Sequence, residues 1–163
     1  MGKSKLLIFA VLGLSSLLSF TQTKESKHAP SIEPKPDLVP LLSHPMDGKI
    51  VVKNIGHGSA KPSKMTLDCE KVGTSNQMYS CPNLPISVMS DYFDATFPNN
   101  ATIQVPALPP GATYTHTLSF WGQMKWPRGE YRFTAVVDAA HALSESNTKN
   151  NTAISLFTVQ EKN

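Results

Sequence analysis

The chain has 163 residues, a formal net charge of +3 and two cysteines. Two of its 15 basic residues, Lys3 and Lys5, fall in a predicted leader, so the rest carries 13 basic against 12 acidic residues and a net charge near +1. Without a block of Lys or Arg, the composition gives no electrostatic support for binding to nucleic acid or to an anionic membrane.

Residues 1–22 have the layout of a secretory signal peptide. The two lysines form a positive start, an uncharged apolar stretch follows at residues 6–20, and Ser19 and Thr21 suit a cleavage site. An uncleaved membrane anchor is the alternative, but the apolar stretch has about 15 residues where a bilayer span needs roughly 20. We therefore expect cleavage and export, to the periplasm or the extracellular space.

Residues 23–36 are predicted to be a linker rich in Pro and Lys. Pro30, Pro34 and Pro36 favour an extended, solvated chain over packed structure. The residues that follow, 37–160, are enough for one domain with a single hydrophobic core.

Short apolar runs separated by turn residues fill this domain. In residues 64–69, for example, Met65, Leu67 and Cys69 alternate with polar residues, which is the period-2 pattern of a half-buried strand. The same reasoning predicts seven strands, at residues 38–42, 49–54, 64–69, 102–105, 113–120, 130–138 and 153–159. Short strands with turns rich in Pro and Gly favour an all-β sandwich.

The segment at residues 85–98 departs from the strand pattern. Four apolar residues recur at spacings of 3, 4 and 4, which is a helical period: Ile86, Met89, Phe93 and Phe97. We predict a short helix or an irregular insert over one end of the sandwich. It is either a lid on the core or an aromatic binding surface that carries Tyr92 and Phe97.

Cys69 and Cys81 are separated by 11 residues in a chain predicted to be exported. An even number of cysteines in an oxidising compartment predicts a disulfide, and closing this loop stabilises a fold by about 3 kcal/mol. A metal pair and two free thiols are the alternatives, and neither a Cys-x-x-Cys spacing nor a nearby His supports a metal.

A polar, Asn-rich corner lies between the last two predicted strands. Its carboxylate and amide side chains are those of Asp138, Glu145, Asn147, Asn150 and Asn151. Because Ca²⁺ prefers several oxygen ligands, the corner is a weak candidate for a cation site. It offers only two carboxylates, so we prefer a structural corner whose side chains accept backbone N–H bonds.

A hairpin at residues 122–129 carries Trp126 and Arg128. An exposed Trp beside basic residues is typical of an anchor for a protein or a glycan. The alternative is that Trp126 folds back on the sheet.

The His and Met residues are scattered along the chain. His116 lies in phase with Tyr114 and Leu118 of a predicted strand, so a core or interfacial role is preferred to metal binding. The methionines hint at copper, but Met65 is in a core phase and no Met-x-Met spacing occurs. Phosphate-loop and hydrolase motifs are also missing.

A series of short motifs spans residues 36–160. In chain order they are Pro36-Asp37-Leu38-Val39, Val51-Val-Lys-Asn54-Ile-Gly56, Leu108-Pro-Pro-Gly111, Trp121, Gly129-Glu-Tyr131, Val137-Asp138 and Glu145-x-Asn147-x-x-Asn150-Asn151. In this order and spacing they resemble the bacterial cell-adhesion-related domain family, CARDB. The resemblance implies an immunoglobulin-like sandwich of seven strands.

These observations predict an exported, non-catalytic immunoglobulin-like module without a cofactor, which binds a protein or a glycan at the cell envelope. The candidate contact residues are Tyr92, Phe97, Trp126 and Arg128. A periplasmic metal-binding protein that handles copper or calcium is the alternative. A small hydrolase is a third possibility, for which the sequence offers no catalytic constellation.

Overall fold

The computed structural model describes residues 33–42, 47–73, 79–80, 90–119, 124 and 126–160. The predicted leader, most of the predicted linker, Cys81 and Trp121 lie outside these residues. All the described strands belong to the compact unit that spans Ile32–Asn163. None of the described residues forms a helix with the length and apolar character of a membrane span.

The described residues form eight strands, and seven of them are those that the sequence predicts. The strands are β1 (Leu38–Leu41), β2 (Lys49–Asn54), β3 (Ser63–Val72), β4 (Tyr79–Ser80), β5 (Ala101–Val105), β6 (Thr113–Thr117), β7 (Gly129–Val136) and β8 (Thr152–Val159). The short β4 is not predicted, because two residues cannot display a period.

The strands form two antiparallel sheets. One has the order β1-β2-β6, and the other has the order β4-β3-β7-β8 with β5 also paired to β3. β3 pairs with β7 along one edge, while its other edge pairs first with β5 and then with β4. This arrangement confirms the prediction of an all-β, immunoglobulin-like sandwich.

The core lies between the two sheets and follows the alternation of the sequence. In β7, Tyr131, Phe133 and Ala135 are buried while the residues between them are only half-buried. From the other sheet, Ile50 and Val52 of β2 are buried in the same core. Period-2 patterning therefore identifies the inward face of β7 correctly. In β8 it does not, because Ile154, expected in the core, is 63% exposed.

Tyr131 closes one end of this core. Its ring is fully buried and its hydroxyl donates a 2.7 Å hydrogen bond to the carbonyl oxygen of Pro127, four residues upstream. A tyrosine near the start of a strand that bonds back to the preceding turn is the tyrosine corner of immunoglobulin-like sandwiches. Burial raises the pKa of the Tyr131 hydroxyl, so it remains the protonated donor that this bond requires.

The described part of the insert is irregular and contains no α-helix. Only Ser90–Tyr92 form a single 3₁₀ turn. Of the two predicted alternatives, the irregular insert is therefore the one found at residues 90–98, and the helical spacing of the apolar residues does not produce a helix there. A local bond explains the difference: Asp94 Oδ1 accepts the N–H of Thr96 at 2.9 Å. Side-chain bonds of this kind stabilise turns in competition with helix.

Candidate functional site

A network of buried and half-buried polar residues joins the N-terminal end of β1 to the loop between β7 and β8. We call it the polar corner; its members are Asp37, Asp138, Glu145, Asn150 and Asn151. The three carboxylates are buried, which is costly unless each oxygen receives a hydrogen bond. The bonding of these oxygens therefore decides whether the corner is structural or is open to a cation.

Each carboxylate oxygen of the polar corner accepts a bond from a protein donor. Asp138 accepts the N–H groups of Ala142 and Leu143, both at 3.0 Å. Glu145 Oε1 accepts the N–H of Leu38 at 2.8 Å, and its Oε2 accepts the Asn151 amide at 2.5 Å.

Asp37 completes the set from the other end of the chain. Its Oδ1 accepts the Asn150 amide at 2.8 Å, and its Oδ2 accepts the Ser146 hydroxyl at 3.1 Å. The main chain adds a bond from the Ser146 N–H to the Pro36 carbonyl, at 2.8 Å. The carboxylates are thus occupied by neutral donors, which supports a structural role for the polar corner.

The electrostatics of Glu145 reflect this burial. Desolvation raises the pKa of the Glu145 carboxyl, the bonds from Asn151 and Leu38 lower it in part, and the nearby charges of Asp138 and Asp37 raise it further. The folded state therefore disfavours the ionised form of Glu145 relative to the protonated form.

The weak cation candidates can be placed on this geometry. Asn147 is exposed and its Oδ1 accepts the N–H of Lys149 at 3.1 Å. Two buried amide oxygens, Asn150 Oδ1 and Asn151 Oδ1, have no hydrogen-bond partner among the described residues. In the described part of the chain, no group of three or more His, Cys, Asp and Glu side chains is arranged to hold a metal.

Asn54 forms a second set of buried hydrogen bonds next to the polar corner. Its Oδ1 accepts the N–H groups of Asp37 and Gly56, at 3.1 and 3.0 Å. Its amide donates to the carbonyls of Gly58 and Leu108, at 2.9 and 2.8 Å. This one side chain replaces the ladder bonds that β2 loses where it ends.

The glycine-rich turn after β2 lies against the N-terminal segment. The N–H groups of His57 and Gly58 donate to the carbonyl of Lys35, at 3.1 and 2.9 Å. A Cβ at Gly58 would collide with the Pro34 carbonyl oxygen. The two N–H groups are used internally, so this turn is not built to cradle a phosphate.

The second region of interest is the insert surface, which we define as residues 90–100. Two contacts attach it to the sandwich. Lys64 Nζ of β3 bonds Asp94 Oδ2 at 2.5 Å, and the Tyr92 hydroxyl lies 3.3 Å from His116 Nε2 of β6. The bond from Lys64 also holds the pKa of the Asp94 carboxyl below its usual value.

His116 is held between two tyrosines. Its Nδ1 lies 3.1 Å from the Tyr114 hydroxyl, opposite the contact with Tyr92, and the Tyr92 ring meets the imidazole edge-on with centroids 5.7 Å apart. Burial lowers the pKa of the His116 imidazole. His116 is therefore interfacial, as its phase in the strand predicts, and it favours the neutral form.

The four predicted contact residues have different environments. Tyr92 and Phe97 are half-buried in the insert surface, and Arg128 is exposed. Trp126 is half-buried and folds back on the core, with its ring centroid 5.1 Å from that of Tyr131 and 5.6 Å from that of Phe157. Of the two alternatives for Trp126, an exposed anchor and a ring folded back on the sheet, the contacts with β7 and β8 support the second.

Phe93 is the exposed aromatic residue that the sequence reasoning did not select. Its side chain is 62% exposed, although the helical spacing assigns it to the same buried face as Phe97. Only the irregular backbone of this segment turns Phe93 outward. A search for apolar residues next to a Ser-Asp turn signal could have identified it.

The remaining candidates are only partly covered by the described residues. Cys69 lies in β3 and packs, partly buried, against the core; Cys81 lies outside the described residues, so the disulfide stays a prediction. Met65 is fully buried in the core and Met124 packs against it, which supports packing roles for these two methionines.

Comparison with known proteins gives one family match. The CARDB family model matches residues 44–155, which is more than half of the 163-residue chain. No curated protein matches this chain.

Three solved structures show distant similarity. The crystal structure of the CARDB domain of the Pyrococcus furiosus PF1109 protein, described as a complex with di-metal ions, is 19% identical, with 77% of this chain and 90% of that chain covered and a TM-score of 0.41. The solution structure of that domain is 16% identical, with 77% and 94% covered and a TM-score of 0.38. A Kluyveromyces marxianus β-glucosidase is 14% identical, with 79% of this chain but 14% of that chain covered and a TM-score of 0.32.

Proposed function

Because this chain belongs to the CARDB family, we propose that it is an exported, non-catalytic binding module that recognises a protein or a glycan at the cell envelope. CARDB is a family of β-sandwich domains of an adhesion-related, non-enzymatic kind. Export is proposed from the signal-like residues 1–22 and from the two cysteines, both of which fit an oxidising compartment.

The observation that carries the proposal is the exposure of Phe93 on an anchored segment. An aromatic ring that is 62% exposed costs free energy in water, and burial against a partner recovers it. The bonds from Lys64 to Asp94 and between Tyr92 and His116 hold the segment in place before any partner arrives. Binding at such a preformed surface loses little conformational entropy.

The chemistry of the described titratable groups supports a non-catalytic role. In the polar corner the carboxylate oxygens accept hydrogen bonds from structural donors. Both ring nitrogens of His116 lie within hydrogen-bond distance of tyrosine hydroxyls. A general base must reach a substrate proton, and these groups face protein donors instead. The copper- or calcium-binding alternative receives no specific support from the described geometry.

The test compares two exposed apolar residues at different locations, Phe93 in the insert surface and Ile55 outside it. We expect Phe93→Ala to weaken binding of the purified chain to envelope fractions and to a glycan array by about tenfold or more, as loss of an aromatic anchor does. Ile55 is 49% exposed and lies outside the insert surface, so Ile55→Ala should leave binding unchanged.

Thermal melting of both variants shows whether any loss of binding reflects unfolding. Equal binding by Phe93→Ala and the unaltered chain would contradict the insert surface as the contact region. Stoichiometric copper or calcium in the purified chain, measured by elemental analysis, would favour the metal-binding alternative.

A further inference from the structure

The long edge strand β8 exposes two large apolar side chains. Among the residues that the structure describes, β8 pairs with β7 alone. Ile154 is 63% exposed and Leu156 is 58% exposed, both on the outer face of the sheet. An edge with this composition is a template for pairing with another strand.

The main-chain bonds show which residues of β8 face the open edge. Asn151 O accepts the N–H of Val137 at 2.9 Å, in the register that places Thr152 opposite Val136. Bonded pairs alternate along an antiparallel ladder, so the odd-numbered residues of β8 bond β7. The N–H and C=O groups of Ile154 and Leu156 therefore point to the open edge.

Three other edge strands, β1, β4 and β6, have features that discourage pairing, whereas β5 is a shorter edge strand of five residues that pairs with β3 alone among the described strands. β1 has four residues and contains Pro40, which lacks an N–H. β4 has two residues, and β6 has five with exposed threonines at alternate positions. β8 has eight residues, Thr-Ala-Ile-Ser-Leu-Phe-Thr-Val, with no charge, proline or glycine, so its own sequence carries none of the residues that usually protect an edge from pairing.

The sequence of β8 is self-complementary about its centre. A two-fold axis at Ser155 places Ile154 opposite Leu156 of a second copy, and Leu156 opposite Ile154 of that copy. The N–H and C=O groups of both residues point to the open edge, so the two pairs form about four backbone hydrogen bonds. The pairing also brings four apolar side chains together on the outer face of the sheet. No like charges meet, because β8 carries none, and such isologous pairing closes after two copies.

We propose that β8 is a homodimer interface, at which two copies of this chain pair antiparallel through Ile154 and Leu156 to form one continuous sheet. β1 contacts β8 without forming a ladder with it in the described residues. The pairing extends the sheet that contains β3, β7 and β8 and leaves the insert surface free, so it depends neither on export nor on the proposed binding role.

The test is the mass of the full purified chain in solution. Sedimentation equilibrium up to about 0.1 mM, where micromolar association is close to saturation, should give the mass of a dimer. The double variant Ile154→Lys/Leu156→Lys places like charges opposite one another and should weaken the dimer by about tenfold or more. Ile55→Lys changes an exposed residue away from β8 and should leave the dimer intact.

A cross-link provides a second measurement that does not depend on charge. Residue 155 lies opposite its own copy in a non-bonded pair, whose Cα atoms are about 4.5 Å apart, within the range for a disulfide. Ser155→Cys should therefore form a covalent dimer under oxidising conditions that the unaltered chain does not form. A monomeric chain at the highest concentration, a dimer that survives the double Lys substitution, or no Ser155→Cys cross-link would each overturn the proposal.

Discussion

Glu145 connects segments that are far apart in the sequence. Its two carboxylate oxygens bond the N–H of Leu38, 107 residues away, and the amide of Asn151. Truncation of Glu145 removes two acceptors at once and leaves both donors buried. A buried donor without an acceptor costs about 1–3 kcal/mol.

We therefore predict that Glu145→Ala lowers the free energy of unfolding by about 1–3 kcal/mol. Glu145→Gln should cost less, because the Asn151 side chain can rotate and offer its unpartnered Oδ1 to the new amide group. Urea denaturation of the two variants and of the unaltered chain measures the difference.

Asn147→Ala is the matched control, since Asn147 is exposed and bonds only the N–H of Lys149 among described partners. Calcium should restore none of the stability that Glu145→Ala loses. A melting temperature of the unaltered chain that rises with sub-millimolar calcium would show instead that the polar corner holds a cation.

Sequence reasoning identified four of the five members of the polar corner. Asp138, Glu145, Asn150 and Asn151 lie close together in the chain and form a recognisable polar cluster, so their role follows from local composition. Asp37 was missed because its partners Ser146 and Asn150 lie 109 and 113 residues away. Hydrogen bonds of this range depend on the way the two sheets pack, which no local pattern encodes.

The turn that precedes β7 contributes Trp126 to the core. Its indole ring contacts Tyr131, Phe133 and Phe157, with centroid distances of 5.1, 5.9 and 5.6 Å. Aromatic pairs at these distances contribute about 0.5–1.5 kcal/mol each beyond the area that they bury. Trp126 therefore fastens its turn to the strands β7 and β8.

We predict that Trp126→Ala lowers the free energy of unfolding by about 2–4 kcal/mol, near the lower end of the cost for a buried aromatic because the ring is only half-buried. Phe93→Ala is the control, because it truncates an aromatic residue that is 62% exposed. Chemical denaturation of both variants gives the comparison. Equal stability of the two variants would mean that Trp126 contributes no more than an exposed ring.

At the scale of elements, the strands were predictable and the insert was not. A strand such as β7 shows its buried face directly, because alternate residues point to opposite sides. The insert follows no such rule: its backbone is set by the Asp94–Thr96 turn and by the bond from Lys64. The helical spacing of its apolar residues reflects their composition and not their conformation.

Two titratable groups give the whole molecule opposing responses to pH. The pKa of His116 is lowered in the folded state, so the unfolded chain binds the proton more strongly and stability falls as the pH drops through about 6.5. The pKa of Glu145 is raised, so the folded chain binds the proton more strongly and stability rises as the pH drops towards 4.5.

We predict that the stability of the unaltered chain falls as the pH is lowered from 7.5 to about 5.5, because a histidine takes up its proton at a higher pH than a glutamate does. His116→Asn should reduce this loss, and Glu145→Gln should remove the opposing gain at lower pH. Thermal melting across the pH range tests both effects. If His116→Asn and the unaltered chain lose the same stability over this pH range, the loss is caused by groups other than His116.

The bonds of the polar corner also decide when folding can finish. A chain emerges from the ribosome, or from a membrane channel, with its N-terminus first. The N–H of Leu38 then bonds only water until its acceptor Glu145 arrives, 107 residues later, and contacts of such long range slow folding. The hydrogen bond that fixes β1 to the polar corner therefore forms only after nearly the whole domain has emerged.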